Sequence, residues 1–300
     1  MRKFILLLLA CAAFAAPPAH ARLQVLACEP EWAALVQELA GDRAKVRSAT
    51  TARQDPHRVE ARPALLAQAR RADLLVCTGA ELEIGWLPLL QREAGNARIQ
   101  SGQPGYFEAS RHVALRERPA QVDRSMGDVH AAGNPHVHLD PRNLLVIADA
   151  LTPRLKALDP AGAADYDARH ATFTTRMHAA ITRWETMAAP LKGVKVIAHH
   201  GNWAYLAHWL GIEIVAHLEP KPGIEPSAAQ LAQLLQRLQD NPARMVLRTA
   251  YQSPRASEWI AERTGMRAVM LPYTVGGTDE ASDLYALFDD TLARLLGALQ

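Results

Sequence analysis

Two short runs share one pattern. Asp55-Pro56-His57 and Asn134-Pro135-His136 each place an oxygen-bearing side chain, a proline and then an imidazole. The proline fixes its own φ and disfavours helix in the residue before it, so each histidine leaves a preset turn. A third pair, His199-His200, ends the apolar run VKVIA. Histidines in loops and at strand ends, in three separate parts of a chain, stand where metal ligands belong. Three imidazoles and one oxygen suit zinc, which takes N, S and O donors in a tetrahedron. Manganese prefers more carboxylate oxygen. A lone histidine is more often a surface or core residue, and His208 and His217, which sit in no such pattern, are read that way.

A hydrolase would use a metal differently. His136-Val137-His138-Leu139-Asp140 resembles the start of the HxHxDH motif of metallo-β-lactamase-like hydrolases, but Pro141 stands where the last ligand should be, and the spaced downstream ligands are missing. Catalytic zinc keeps a position open for water, whereas a transported ion is better held closed. The pattern points to coordination rather than turnover, and no catalytic residue is assigned.

The elements that must position these residues alternate. LQVLA (23–27), AKVRSAT (44–50) and DLLVCTG (73–79) read as strands separated by amphipathic helices, the second of them at 61–72. After position 193 the same alternation returns: strands VKVIAH, IEIVAHL, ARMVLRTA and MRAVMLPY alternate with helices, one of them opened by Ser227 as N-cap. This βαβ rhythm predicts parallel sheets covered on both faces. Residues 101–135, rich in Gly, Pro and charge, read largely as a long surface loop, a kind that is usually functional or mobile. Helix resumes near Asn143, and 160–189 reads as one long helix of about 42 Å. The expected architecture is α/β: a first lobe at 22–157, a linking helix at 158–192 and a second lobe at 193–300, with a ligand in the cleft beyond the strand ends. Trp86, Trp184, Trp203 and Trp209 lie on helical stretches and are expected in the core.

Bulk properties narrow the setting. Residues 1–21 read as a secretory signal peptide, with Arg2 and Lys3, an apolar run at 4–16 and Ala19-His20-Ala21 for cleavage. The apolar run is shorter than the roughly 20 residues a bilayer span needs. A lipoprotein anchored through Cys11 would leave a very short apolar core. The expectation is an exported, soluble, periplasmic chain beginning at Arg22. Without residues 1–21 it keeps 31 basic and 31 acidic residues, no footprint for nucleic acid or an anionic membrane. Cys28 and Cys77 each follow a strand-like run, so they form either a disulfide or two buried thiols.

Four segments, taken in order, carry a resemblance: DPHRVEARPALLAQARRADLLVCTGAELEIGWLPLL (55–90), NPHVHLDPRN (134–143), VIAHHGNWAYLAHWLG (196–211) and PKPGIEPSAAQL (221–232). Together they make the chain similar to the zinc-binding solute-binding proteins of ABC importers, a family that carries zinc or manganese. The resemblance implies two α/β lobes joined by a rigid helix, a bound Zn²⁺ as cargo, and delivery to a membrane permease, with a periplasmic zinc chaperone as a further partner and a monomeric chain. It implies His57, His136 and His200 as ligands, His200 being the histidine five residues before Tyr205. Manganese-binding relatives carry a carboxylate at this third position, so His200 favours zinc. Alternatives are a manganese receptor or a surface adhesin of the same fold.

Two positions depart from the family pattern. The usual aspartate ligand after the last strand is replaced near LPYTVGG by Thr274 or a neighbour. Asp279 is the nearest candidate for the fourth position, reached across the pliable Gly276-Gly277, with Glu280, Asp283, His138 and water as rivals. His138 stands where an aromatic residue is usual, which makes it a wall or supporting residue. Glu219 and Glu225 flank PKPGI and are expected to support the cleft. Relatives also carry a histidine-rich loop near 101–135; here it holds His112, Asp128 and His130, which read equally as a solvated loop. Coordination by imidazole should weaken below about pH 6.5.

Overall fold

Short apolar runs bounded by turns become strands, and the amphipathic stretches between them become helices. The structure, a computed structural model, describes residues 22–123 and 126–300; the expected signal peptide lies outside them. The first half runs β1 (Leu23–Ala27), α1 (Pro30–Ala40), β2 (Ala44–Ser48), α2 (Pro63–Arg71), β3 (Leu74–Cys77), α3 (Leu87–Ala94) and β4 (Tyr106–Glu108). Helices α4 (Pro141–Leu158) and α5 (Ala163–Met187) follow. The second half runs β5 (Lys195–Ala198), α6 (Ala204–Leu210), β6 (Glu213–His217), α7 (Ala228–Asp240), β7 (Met245–Arg248), α8 (Pro254–Thr264), β8 (Arg267–Met270) and α9 (Leu284–Gly297). The strands form two four-stranded parallel sheets, β2-β1-β3-β4 and β6-β5-β7-β8. These are the two α/β lobes expected.

Two elements differ from expectation. Inside the presumed loop, β4 pairs with β3, Leu75 opposite Tyr106. Gly105 makes that approach possible, since a Cβ there would stand 2.6 Å from the Asp73 carbonyl oxygen. The long helix is also shorter than 160–189. Pro160–Gly162 forms a 3₁₀ turn before α5, and Pro190 lies in another just after it. The 25 residues of α5 span about 37 Å. Arg43 ties its start down through Asp159 at 2.8 Å and Asp165 at 3.0 Å.

The core sits around α5. One continuous apolar cluster runs from Trp32 and Leu35 of α1, through Phe173, Met177 and Trp184 of α5, to Leu247 of β7 and Phe288 of α9. Trp203 and Trp209 belong to it, and Trp86 to a smaller cluster on the other face of the first sheet. Cys28 and Cys77 are bonded to each other. The register explains why: Ala27 lies opposite Val76, so the next residues are neighbours, with Cα atoms 4.8 Å apart.

Parallel strands put all their carboxyl ends on one edge, and the polar residues of interest follow those ends. The segment with His57 follows β2, Glu29 and Glu31 follow β1, His199 and His200 follow β5, Glu219 follows β6, and Tyr273 follows β8.

Candidate metal centre

The Asp-Pro-His and Asn-Pro-His runs fold into the same small device. Asp55 Oδ1 accepts from the His57 backbone N–H at 3.0 Å and pairs with its Nδ1 at 2.7 Å. Asn134 Oδ1 does the same for His136, at 3.0 Å and 2.8 Å. One oxygen two residues back therefore fixes both the turn and the ring. Trp86 Nε1 donates to the Pro56 carbonyl at 2.8 Å, and Asn134 Nδ2 donates to Glu117 and to the Gly201 carbonyl. Those last bonds orient the amide, leaving Oδ1 for His136. His200 leaves β5 directly, and its Nδ1 meets Glu219 Oε2 at 2.6 Å.

All three rings are thus anchored through Nδ1, which leaves Nε2 as the free donor atom. Ligand atoms of His57, His136 and His200 lie within 4.8 Å of one another. His136 is 1 % exposed, and its Nε2 is buried without a hydrogen-bond partner among the described residues. Burial pushes the His136 ring well below the usual histidine range, and the nearby His200, His57, His130 and His138 rings push the same way. Burial would raise Asp55, but its bonds to His57 outweigh that and hold it below the usual carboxylate range. The chemistry on offer is coordination by neutral imidazole, with carboxylates behind the ligands.

A fourth imidazole, from the loop, lies against one of the three but not within 4.8 Å of them all. His130 Nε2 lies 3.2 Å from His57 Nε2. Two nitrogens on one tetrahedral zinc, at about 2.0–2.1 Å each, stand about 3.3 Å apart. Several bonds hold this part of the chain across the cleft. The Ala131 N–H donates to Glu81 Oε2 at 2.6 Å, from a turn where Ala80 and Glu81 have φ of 48° and 68°. The Asp128 N–H donates to the Pro222 carbonyl at 2.9 Å, and Arg58 reaches Asp128 and the Gly223 carbonyl. Gly127 has φ of 82°, and a Cβ there would strike the Pro222 carbonyl. Burial pushes His130 down to about 4, helped by His57 and His200. From the sequence, His130 belonged to a loop read either as one that gathers or receives metal, as in relatives, or as merely solvated; its crossing to His57 depends on contacts with distant segments.

The structure does not bring Asp279 to this cluster. Tyr273 packs edge-on to His136 and His138, with centroids at 5.7 and 4.9 Å, and Thr274 bonds the buried Glu31. The chain then turns away at Gly276, whose N–H bonds the Ala281 carbonyl. Asp279 is exposed, Glu280 pairs with Arg294, and Asp283 caps α9. His138 Nε2 meets the Tyr273 carbonyl at 2.9 Å, and its Nδ1, 3.2 Å from Glu31 Oε1, makes no hydrogen bond among the described residues; with its Nε2 turned to Tyr273 it forms a wall of the cluster. A cavity of about 600 Å³ beside Glu81 and Tyr106 has no imidazole in its lining.

Two parallel-sheet lobes joined by a long helix, with an imidazole cluster at the strand ends, define a two-lobed binding protein with a metal centre. The family described as ZnuA, zinc-uptake complex component A, periplasmic, matches residues 25–298, and the chain belongs to it. It is similar to the high-affinity zinc uptake system protein ZnuA of Paracoccus denitrificans, at 25 % identity over 99 % of both chains. It also resembles the manganese ABC transporter substrate-binding lipoprotein PsaA of Streptococcus pneumoniae, at 24 % identity over 72 % of this chain and 68 % of that one. A crystal structure of ZnuA superposes with a TM-score of 0.74 at 24 % identity, covering 91 % of this chain and 99 % of the other, a likeness of fold.

Proposed function

We propose that this chain is a periplasmic receptor that binds one Zn²⁺ and delivers it to the permease of an ABC importer. His57, His136 and His200 are the ligands, and His130 takes the fourth position that Asp279 was expected to fill. The observation that carries this reading is the buried, unpartnered Nε2 of His136, beside two other rings anchored through Nδ1. A buried polar atom left unpaired is costly unless something binds it. An all-nitrogen set favours zinc over manganese. The Asp55 and Glu219 carboxylates behind His57 and His200 offset the +2 charge of the ion.

The test is a titration of the chelator-stripped mature chain with Zn²⁺ and Mn²⁺. One tight Zn²⁺ is expected, abolished by His57→Ala, His136→Ala or His200→Ala and weakened at least tenfold by His130→Ala, since changing a residue that only supports a ligand already costs about 10–100-fold. Asp279→Ala is expected to bind like the parent. Preference for Mn²⁺ overturns the cargo, and loss of affinity in Asp279→Ala overturns the fourth ligand.

A further inference from the structure

Two of the three proposed ligand rings lean directly on a carboxylate, His57 on Asp55 and His200 on Glu219. His136, the most deeply buried of them, leans on an amide instead. The chain thus uses Asp-Pro-His in one place and Asn-Pro-His in the other, and what stands behind Asn134 accounts for the difference. Asn134 Nδ2 donates one hydrogen to Glu117 Oε2 at 2.8 Å and the other to the Gly201 carbonyl at 2.6 Å. Both partners only accept, so the group facing them has to be the NH₂ and the atom facing His136 has to be the oxygen. An aspartate at this position would set carboxylate against carboxylate, with no hydrogen to offer.

Glu117 is exposed, and its backbone is left-handed, with φ of 50°, a conformation that residues other than glycine rarely adopt. Its neighbour Arg116 is clamped against Asn134. The Asn134 N–H donates to the Arg116 carbonyl at 2.8 Å. The Tyr205 hydroxyl accepts from the Arg116 N–H at 3.1 Å and donates to the Asn134 carbonyl at 2.7 Å. Gly133 permits the approach, since a Cβ there would stand 2.7 Å from the Arg116 carbonyl oxygen. Backbone strain persists where the surroundings over-determine it, and it clusters at functional sites. Glu117 also lines a cavity of about 190 Å³ together with His130, His136 and His200.

We propose that Glu117 is the carboxylate behind His136, a positioning residue that acts through the Asn134 amide. The relay runs from carboxylate to amide N–H and from amide oxygen to ring Nδ1–H, each bond polarising the next. It places the ring's proton on Nδ1 and keeps Nε2 bare for the ion. With Asp55 and Glu219, it gives each of the three rings a carboxylate partner, two in direct contact and one a step removed. The part Glu117 plays in holding zinc rests on the zinc-receptor reading; its control of the His136 tautomer does not.

The test is a zinc titration of the stripped mature chain in competition with a chromophoric chelator. Glu117→Gly removes the carboxylate and relieves the left-handed backbone. Zinc affinity should fall about three- to tenfold, less than for a residue in direct contact with a ligand, while the apo melting temperature does not fall. Glu117→Gln keeps an acceptor and should stay within about threefold. Asn134→Asp should lose at least about tenfold, and adding Glu117→Gln, whose amide can donate to the new carboxylate, should restore at least about threefold of it. Parent affinity in Glu117→Gly, a fall in its melting temperature alongside the lost affinity, or no rescue of Asn134→Asp overturns the proposal. If the parent binds no tight zinc, the zinc-receptor reading has failed, and NMR of the His136 ring nitrogens in the stripped chain decides alone. Nδ1–H in the parent with a share of Nε2–H in Glu117→Gly supports the relay; one unchanged tautomer in both overturns it.

Discussion

The carboxylates behind the proposed ligands His57 and His200 differ in burial, and that difference predicts a ranking. Asp55 meets His57 Nδ1 at 2.7 Å and is 35 % exposed; Glu219 meets His200 Nδ1 at 2.6 Å and is 9 % exposed. A hydrogen bond to a charged group contributes about 1.5–3 kcal/mol, and water competes for the exposed one. Asp55→Ala should therefore cost about 1.5 kcal/mol of binding, a tenfold loss in zinc affinity. Glu219→Ala should approach 3 kcal/mol, about a hundredfold. Asp55→Asn keeps a neutral acceptor and should stay within about threefold. Competition against a chromophoric zinc chelator at pH 7.5 measures all three, with apo melting temperatures as a check on folding. Full affinity in Asp55→Ala, or a larger loss there than in Glu219→Ala, would refute the anchoring argument.

The remaining predictions concern protons, the crossing loop and the disulfide. His130, held down to about 4 by burial, and His136, held well below its usual range, stay neutral in the fold while the unfolded chain protonates them near 6.5. The unfolded state then binds more protons, so apo stability falls as pH drops from about 6.5 towards 4. His130 contributes at most about 3 kcal/mol of that, and His130→Gln should flatten the slope between urea denaturations at pH 7.5 and 5; an unchanged slope counts against it. Gly127→Ala sets a methyl group against the Pro222 carbonyl in a left-handed backbone, at about 1–2 kcal/mol. Stopped-flow zinc release should quicken several-fold while the melting temperature moves only a few degrees. Replacing Cys28 and Cys77 by alanine opens a loop of 49 residues, and equilibrium unfolding should show a loss of about 2–4 kcal/mol.

Much of this was legible in the chain because its signals are local. A proline between an oxygen-bearing residue and a histidine announces a turn, and His57 and His136 prove to be held by that same oxygen. The cysteine pair was half legible: both follow strand-like runs, but only the β1–β3 register makes them neighbours. The rest is set by tertiary contacts. Strand β4 has three residues, too few to show alternation. The Gly276-Gly277 pair signals pliability but not direction, and the chain there turns towards α9, taking Asp279 with it. His130 owes its place to Glu81, Arg58 and Pro222, none close to it in sequence.

The apolar cluster that runs from α1 through α5 to α9 packs both halves onto one helix and opposes a wide swing between them. A laden molecule and an empty one then keep nearly the same silhouette. On the proposed ligand set, the news of cargo is carried by stiffness more than by outline: an ion held by His130 as well as the other three rings would quiet residues 126–131. A membrane partner that reads those residues is feeling for a loose thread rather than a closed jaw.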